Sequence, residues 1–135
     1  HGGSFLEAVR AFAPGGVDVI LDPVGAGYLA DNIQLLGLNG RLVLIGLMGG
    51  MKADLDLASL MMKRIRLIGS TLRARTLQEK AAVMNQLEER LWPGLASGEI
   101  NVTVEAVLPI TKATEGHGLI ASNQTIGKVI LDVAH

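Results

Sequence analysis

Three short apolar runs, VDVILD at 17–22, RLVLIGL at 41–47 and IRLIGSTL at 65–72, recur along this chain with helix-like segments between them. Each is apolar almost throughout rather than at alternate positions, the pattern of a strand buried on both faces. Between the first two runs, residues 28–40 place Leu29, Ile33 and Leu36 on one helical face and end at Gly37 or Gly40, a glycine helix stop. Between the second and third, residues 54–64 space Leu57, Leu60 and Met61 to face inward. Antiparallel neighbours can be joined by a two-residue turn, but parallel ones need a crossover of about a dozen residues or more. The spacing therefore predicts a parallel βαβαβ layer with helices on both faces. This is an α/β chain, half of a doubly wound, Rossmann-type sheet.

The remainder reads as flanking elements. Phe5, Leu6, Val9 and Phe12 recur at helical spacing and are stopped by Pro14-Gly15-Gly16. Residues 76–98 form the longest predicted helix, opened by a Thr76…Glu79 capping box and closed by Gly98. Residues 102–110, 112–122 and 127–133 read as strand, helix and strand. Composition narrows the function classes. Of the 135 residues 49% are hydrophobic, and mean hydropathy is +0.38. No apolar run approaches the ~18 residues of a membrane helix, so this apolarity belongs to buried strands or an interface. With 12 basic and 13 acidic residues scattered along the chain, the charge pattern argues against nucleic acid or an anionic membrane as partner. There is no cysteine, hence no disulfide and no thiolate metal site, and cytoplasm is the default compartment. The opening His1-Gly2-Gly3-Ser4, without methionine, reads as a fragment.

Sheets of this kind bind ligands beyond the carboxyl ends of their strands, which here means 22–27, 46–50 and 70–73. Gly25-x-Gly27-x-x-Ala30 follows a strand and precedes a helix, as a dinucleotide fingerprint does. It lacks the acid about twenty residues on, and Pro23 stands where a phosphate turn would form, so a tight strand-to-helix turn is the better reading. Other candidates have plain readings. His117 is an exposed helix residue, and His1 and His135 are disordered ends. Met48, Met51, Met61 and Met62 belong to the core or to a subunit interface. Lys63-Arg64-Ile65-Arg66 is too short for a nucleic-acid patch, and Trp92 anchors the end of the long helix.

Four blocks, GGVDVILDPVG, LLGLNGRLVLIGLMGG, LMMKRIRLIGSTLRAR and IGKVILDV, resemble in order and spacing the quinone oxidoreductase branch of the medium-chain dehydrogenase/reductase family. That resemblance makes the three runs the fourth, fifth and sixth Rossmann strands. It assigns residues 1–98 to the C-terminal half of a nucleotide-binding domain and 99–135 to a catalytic domain. It implies an NADP cofactor, with NAD as the alternative, and zinc-independent reduction of a quinone or enone. Gly46, Leu47, Met48 and Gly49 would pass the nicotinamide ribose, their glycines letting backbone approach a flat cofactor without a Cβ in the way. Ser70, Thr71, Leu72 and Arg73 would meet the carboxamide, and Asn123 lies in a turn that returns to the cofactor. Strand 65–72 would pair across a two-fold axis, making a homodimer. No residue is assigned to catalysis and none to a metal. The competing expectation is a standalone, non-catalytic module for oligomerisation or nucleotide binding.

Overall fold

The computed structural model describes residues 5–134. The terminal histidines expected to be disordered lie outside them. The chain divides into two compact units between Thr76 and Leu77.

The first unit opens with α1 (Phe5–Phe12) and contains a three-stranded parallel sheet in the order β1-β2-β3. Its strands are β1 (Val17–Asp22), β2 (Leu36–Leu44) and β3 (Arg66–Gly69), linked by α2 (Leu29–Leu35) and α3 (Leu57–Met62). The predicted helix over 28–40 is shorter and the following strand begins earlier. Gly16, at φ 88°, lies so close to Gly37 that a Cβ there would sit 2.6 Å from the Gly37 nitrogen. The chain must leave the helix before that crossing, and Leu36 is already extended and paired with Val17. The carbonyls left open at the end of α2 are taken by one cation. Lys63 Nζ donates to the Ile33, Gln34 and Leu36 oxygens at 3.1, 2.9 and 2.8 Å. The basic tetrapeptide thus begins with a helix cap, where positive charge also meets the negative end of the α2 dipole.

Register sorts the sheet into two faces. Ile20, Leu42 and Leu67 form one row, and Leu21, Val43 and Ile68 the next row on the opposite face. The first face is covered: Leu42 is fully buried beside Ile33 of α2, with Leu29 and Leu60 packed against the same cluster. The second is not, and Val19, Leu21 and Ile68 are exposed. Helices on both faces were expected. Within this unit, both crossovers step the same way across the sheet, so right-handed connections place α2 and α3 on one side. Likewise Leu57 and Met61, expected to face inward, are exposed; α3 has only six residues, and its inward contact to this core comes through Leu60.

The second unit begins with α4 (Leu77–Arg90) and α5 (Trp92–Ser97), where one long helix was expected. Pro93, in the first turn of α5, has no N–H to continue the ladder and suits a helix start. Trp92, expected to anchor the end of the long helix, is 55% exposed. Gly98 ends α5 in the left-handed conformation, as expected. Then β4 (Val104–Pro109), α6 (Ala113–Ala121) and β5 (Lys128–Asp132) form a parallel βαβ unit. Gly116 lets α6 rest on Leu108, Val129 and Leu131.

Two outcomes follow. Lys63→Met should cost about 2 kcal/mol, because three carbonyls lose a charged donor; urea unfolding measures it. Asp56 caps α3, accepting from the Ser59 hydroxyl and from the Ser59 and Ala58 amides. The Ser59 hydroxyl is the main cause that holds its carboxyl below the ordinary 3.8. A depressed folded pKa makes the cap complete above that value and lost as pH falls through the lower one. The Ala58 and Ser59 amide shifts should hold steady down to pH ~4 and move together below it.

Candidate functional site

The carboxyl end of β1 is organised by a buried carboxylate. Asp22 and Asn32 are each only 2% exposed. Asp22 Oδ1 accepts from the Val24 N–H at 2.6 Å and the Gly25 N–H at 3.1 Å, and Oδ2 accepts from Asn32 Nδ2 at 3.0 Å. Isolating such a charge from water is costly unless donors converge on it, and here three do. Two further amides are engaged: Ala26 donates to Gly50 O at 3.1 Å and Tyr28 to Gly25 O at 3.0 Å. A phosphate-binding turn must offer free N–H groups. In the Gly25-x-Gly27 turn, an internal anion and a neighbouring carbonyl already hold the Val24, Gly25 and Ala26 amides, as the tight-turn reading expects.

That turn is stitched to the loop after β2. Met48 N–H donates to Pro23 O at 3.3 Å, Gly49 N–H to Val24 O at 2.7 Å, and Gly50 N–H to Leu47 O at 3.1 Å. Here the structure gives the glycines a physical reason the sequence did not show. A Cβ on Gly46 would stand 2.6 Å from Pro23 O, and one on Gly49 2.6 Å from Val24 Cγ1. Both glycines admit the neighbouring loop. The Gly46 and Leu47 N–H groups have no partner among the described residues.

An open groove of about 500 Å³ lies at the ends of β2 and β3. Gly46 and Leu47 line it, together with Leu44, Ile45, Gly69, Ser70 and Thr71. A second hollow of about 520 Å³ shares Ile45, Ser70 and Thr71 and extends to Leu72 and Arg73. Ser70 is fixed by its N–H to Leu44 O at 2.9 Å, and the next residue by Arg75 Nε donating to Thr71 O at 3.1 Å. The Thr71 and Leu72 N–H groups have no partner among the described residues. Six of the nine residues singled out from the sequence therefore line two adjoining hollows. Met48 and Gly49 sit in the stitched loop, and Met48 is exposed. Asn123 belongs to the second unit, where it takes φ 53° in the turn after α6. The other methionines named above, Met51, Met61 and Met62, are exposed rather than in the core, and His117 is exposed on α6. Sequence reading reached the loop ends but missed the Asp22–Asn32 pair. An Asp before Pro-Val-Gly is a turn signal; nothing in the sequence ties it to an asparagine ten residues on.

Gly46→Ala should destabilise the fold by about 1–3 kcal/mol, since backbone cannot yield as a side chain can. Gly49→Ala meets a side chain instead, so adding Val24→Ala should recover most of its loss. Denaturant midpoints of the three variants check both statements.

A family model for zinc-binding dehydrogenases matches residues 4–131. The quinone oxidoreductase of Rattus norvegicus is 28% identical over 130 residues, 95% of this chain and 38% of that protein. The crystal structure of an NAD-dependent alcohol dehydrogenase superposes with a TM-score of 0.73 at 27% identity, over 99% of this chain and 36% of its own. A mycobacterial protein complexed with NADPH gives 0.68 at 26% identity, over 94% and 38%. The chain thus spans little more than a third of the length of these three proteins. The family's name implies zinc, but this stretch has no cysteine, and no three His, Asp or Glu side chains converge among the described residues. Its donor set does not fit that ion. No helix among the described residues is long and apolar enough to cross a membrane. On the match over residues 4–131, this chain belongs to the zinc-binding dehydrogenase family.

Proposed function

We propose that this chain supplies the nicotinamide side of the cofactor cleft in an NAD(P)H-dependent quinone or enone oxidoreductase. One observation carries the reading: two segments 23 or more residues apart in sequence, around Gly46-Leu47 and Ser70-Thr71, line one groove and leave backbone N–H groups unpaired there. A nicotinamide is a flat ring with a carboxamide. The apolar walls at Leu44, Ile45 and Leu47 suit the ring, and the unpaired N–H groups with the Ser70 and Thr71 hydroxyls suit the carboxamide. The bound nicotinamide supplies the hydride, and the protein's share is position and a dry, shaped wall. Leu72 and Arg73 extend that wall. Met48 and Gly49 act through the loop they fix, and Asn123 is assigned from the family resemblance. The similarity to a quinone oxidoreductase and to an NADPH complex favours this class of acceptor and cofactor. NADP is the proposed form, with NAD the alternative, since the groove meets only the end common to both.

We assign residues 1–98 to the nucleotide-binding half and 99–135 to the catalytic domain. We also propose that strand 65–72 joins two copies. β3 is an edge strand whose Leu67 and Ile68 are exposed, and exposed edges pair.

The chain should bind NADPH weakly, with a free energy of about −5 kcal/mol or less favourable, because its fingerprint turn offers no phosphate anchor. It should not turn over quinone, since one wall alone cannot hold two reactants at attacking distance. Titration of nicotinamide fluorescence tests the first statement and NADPH oxidation with a simple quinone the second. Submicromolar affinity or heat-labile turnover would contradict them.

A further inference from the structure

We infer that Asp22 is a positioning residue for the groove, acting through the two stitched loops without touching the ligand. This rests on the nicotinamide reading of the groove. The relay is continuous. Asp22 holds the Val24 and Gly25 N–H groups at 2.6 and 3.1 Å, which fixes the plane of the peptides carrying Pro23 O and Val24 O. Those oxygens accept from Met48 and Gly49, at 3.3 and 2.7 Å. The loop so held is the one that lines the groove with Gly46 and Leu47. Asn32 completes the device by donating to Oδ2 at 3.0 Å, which sets the rotation of the carboxylate. Asp22 also does electrostatic work on what the turn can bind. It fills the anion position of a Gly-x-Gly turn with a charge from the chain itself. The turn is thereby converted from a phosphate cradle into a brace, and the groove next to it is left for a neutral part of a ligand.

Asp22→Asn separates this role from simple stability. The amide oxygen can still accept from Val24 and Gly25, but its NH2 would face the NH2 of Asn32, donor against donor. Adding Asn32→Asp restores an acceptor at that point. Lys63→Met serves as the control: it weakens α2 at its other end, away from both loops. Each variant is titrated with NADPH and followed by amide shifts in two-dimensional NMR, beside its urea midpoint. Asp22→Asn should move the Met48 and Gly49 amide shifts before any ligand is added and weaken NADPH binding about tenfold, the loss expected when a charged hydrogen-bond acceptor is removed. The Asp22→Asn/Asn32→Asp pair should recover most of that affinity, and Lys63→Met should bind as the parent does. If Asp22→Asn does not fold, Asn32→Ser, which keeps the carboxylate and removes only its orienting donor, should move the same two amide shifts and weaken binding less. Unmoved Met48 and Gly49 amides with unchanged affinity overturn the inference, and so does an equal loss in Lys63→Met. If the parent chain shows no NADPH-dependent shifts, the nicotinamide reading fails, while the ligand-free shifts of Met48 and Gly49 still decide whether Asp22 positions the loop.

Discussion

A carboxylate buried at the end of the first strand governs the functional end of this sheet. Asp22 cannot stay charged out of water without donors, so the following turn closes on it and takes one shape. That shape presents two carbonyls to the loop after β2, and two glycines in that loop let its N–H groups come close enough to donate to them. The groove between β2 and β3 inherits its outline from this stitching. Backbone that would otherwise be a pair of independent surface loops becomes one hydrogen-bonded wall with N–H groups left over.

Much of this was legible in the sequence because parallel sheets leave a strong signature. Continuous apolar runs separated by helical spacing admit few topologies, and the order β1-β2-β3 follows from short, same-handed crossovers. The strand ends were legible too, and Gly46, Leu47, Ser70 and Thr71, which line the groove, follow them closely in sequence. Helix ends were not. Leu36 continues the apolar period of α2 and is buried either way, so periodicity alone cannot say that the chain is already extended there. What ends the helix is a tertiary contact between Gly16 and Gly37, which no local pattern reveals. The break in the long helix has a local signal at Pro93, which has no N–H to carry the helical ladder on.

The glycines of the 46–50 loop show how one position can carry a second reason. Both were singled out as places where a ligand approaches bare backbone. Their Cβ positions are occupied by Pro23 and Val24, so their first duty is to the fold. In the proposed cleft the ligand would meet the amides of Gly46 and Leu47, which the stitched loop leaves unpaired. The uncovered face of the sheet makes a related point. Val19, Leu21 and Ile68 read as core because strands of this composition are core, yet α2 and α3 lie together on the other side. Sequence periodicity specifies that a surface is to be covered and is silent about what covers it.

One contact decides the proposed function, that of a nicotinamide ring with the wall between β2 and β3. Transferred nuclear Overhauser effects between reduced nicotinamide mononucleotide and methyl-labelled protein measure it directly. The ring protons should show effects to the methyl groups of Leu44, Ile45 and Leu47 and to that of Thr71. Effects confined to Val24, Ala26 or Leu29, or none at millimolar ligand, would contradict it.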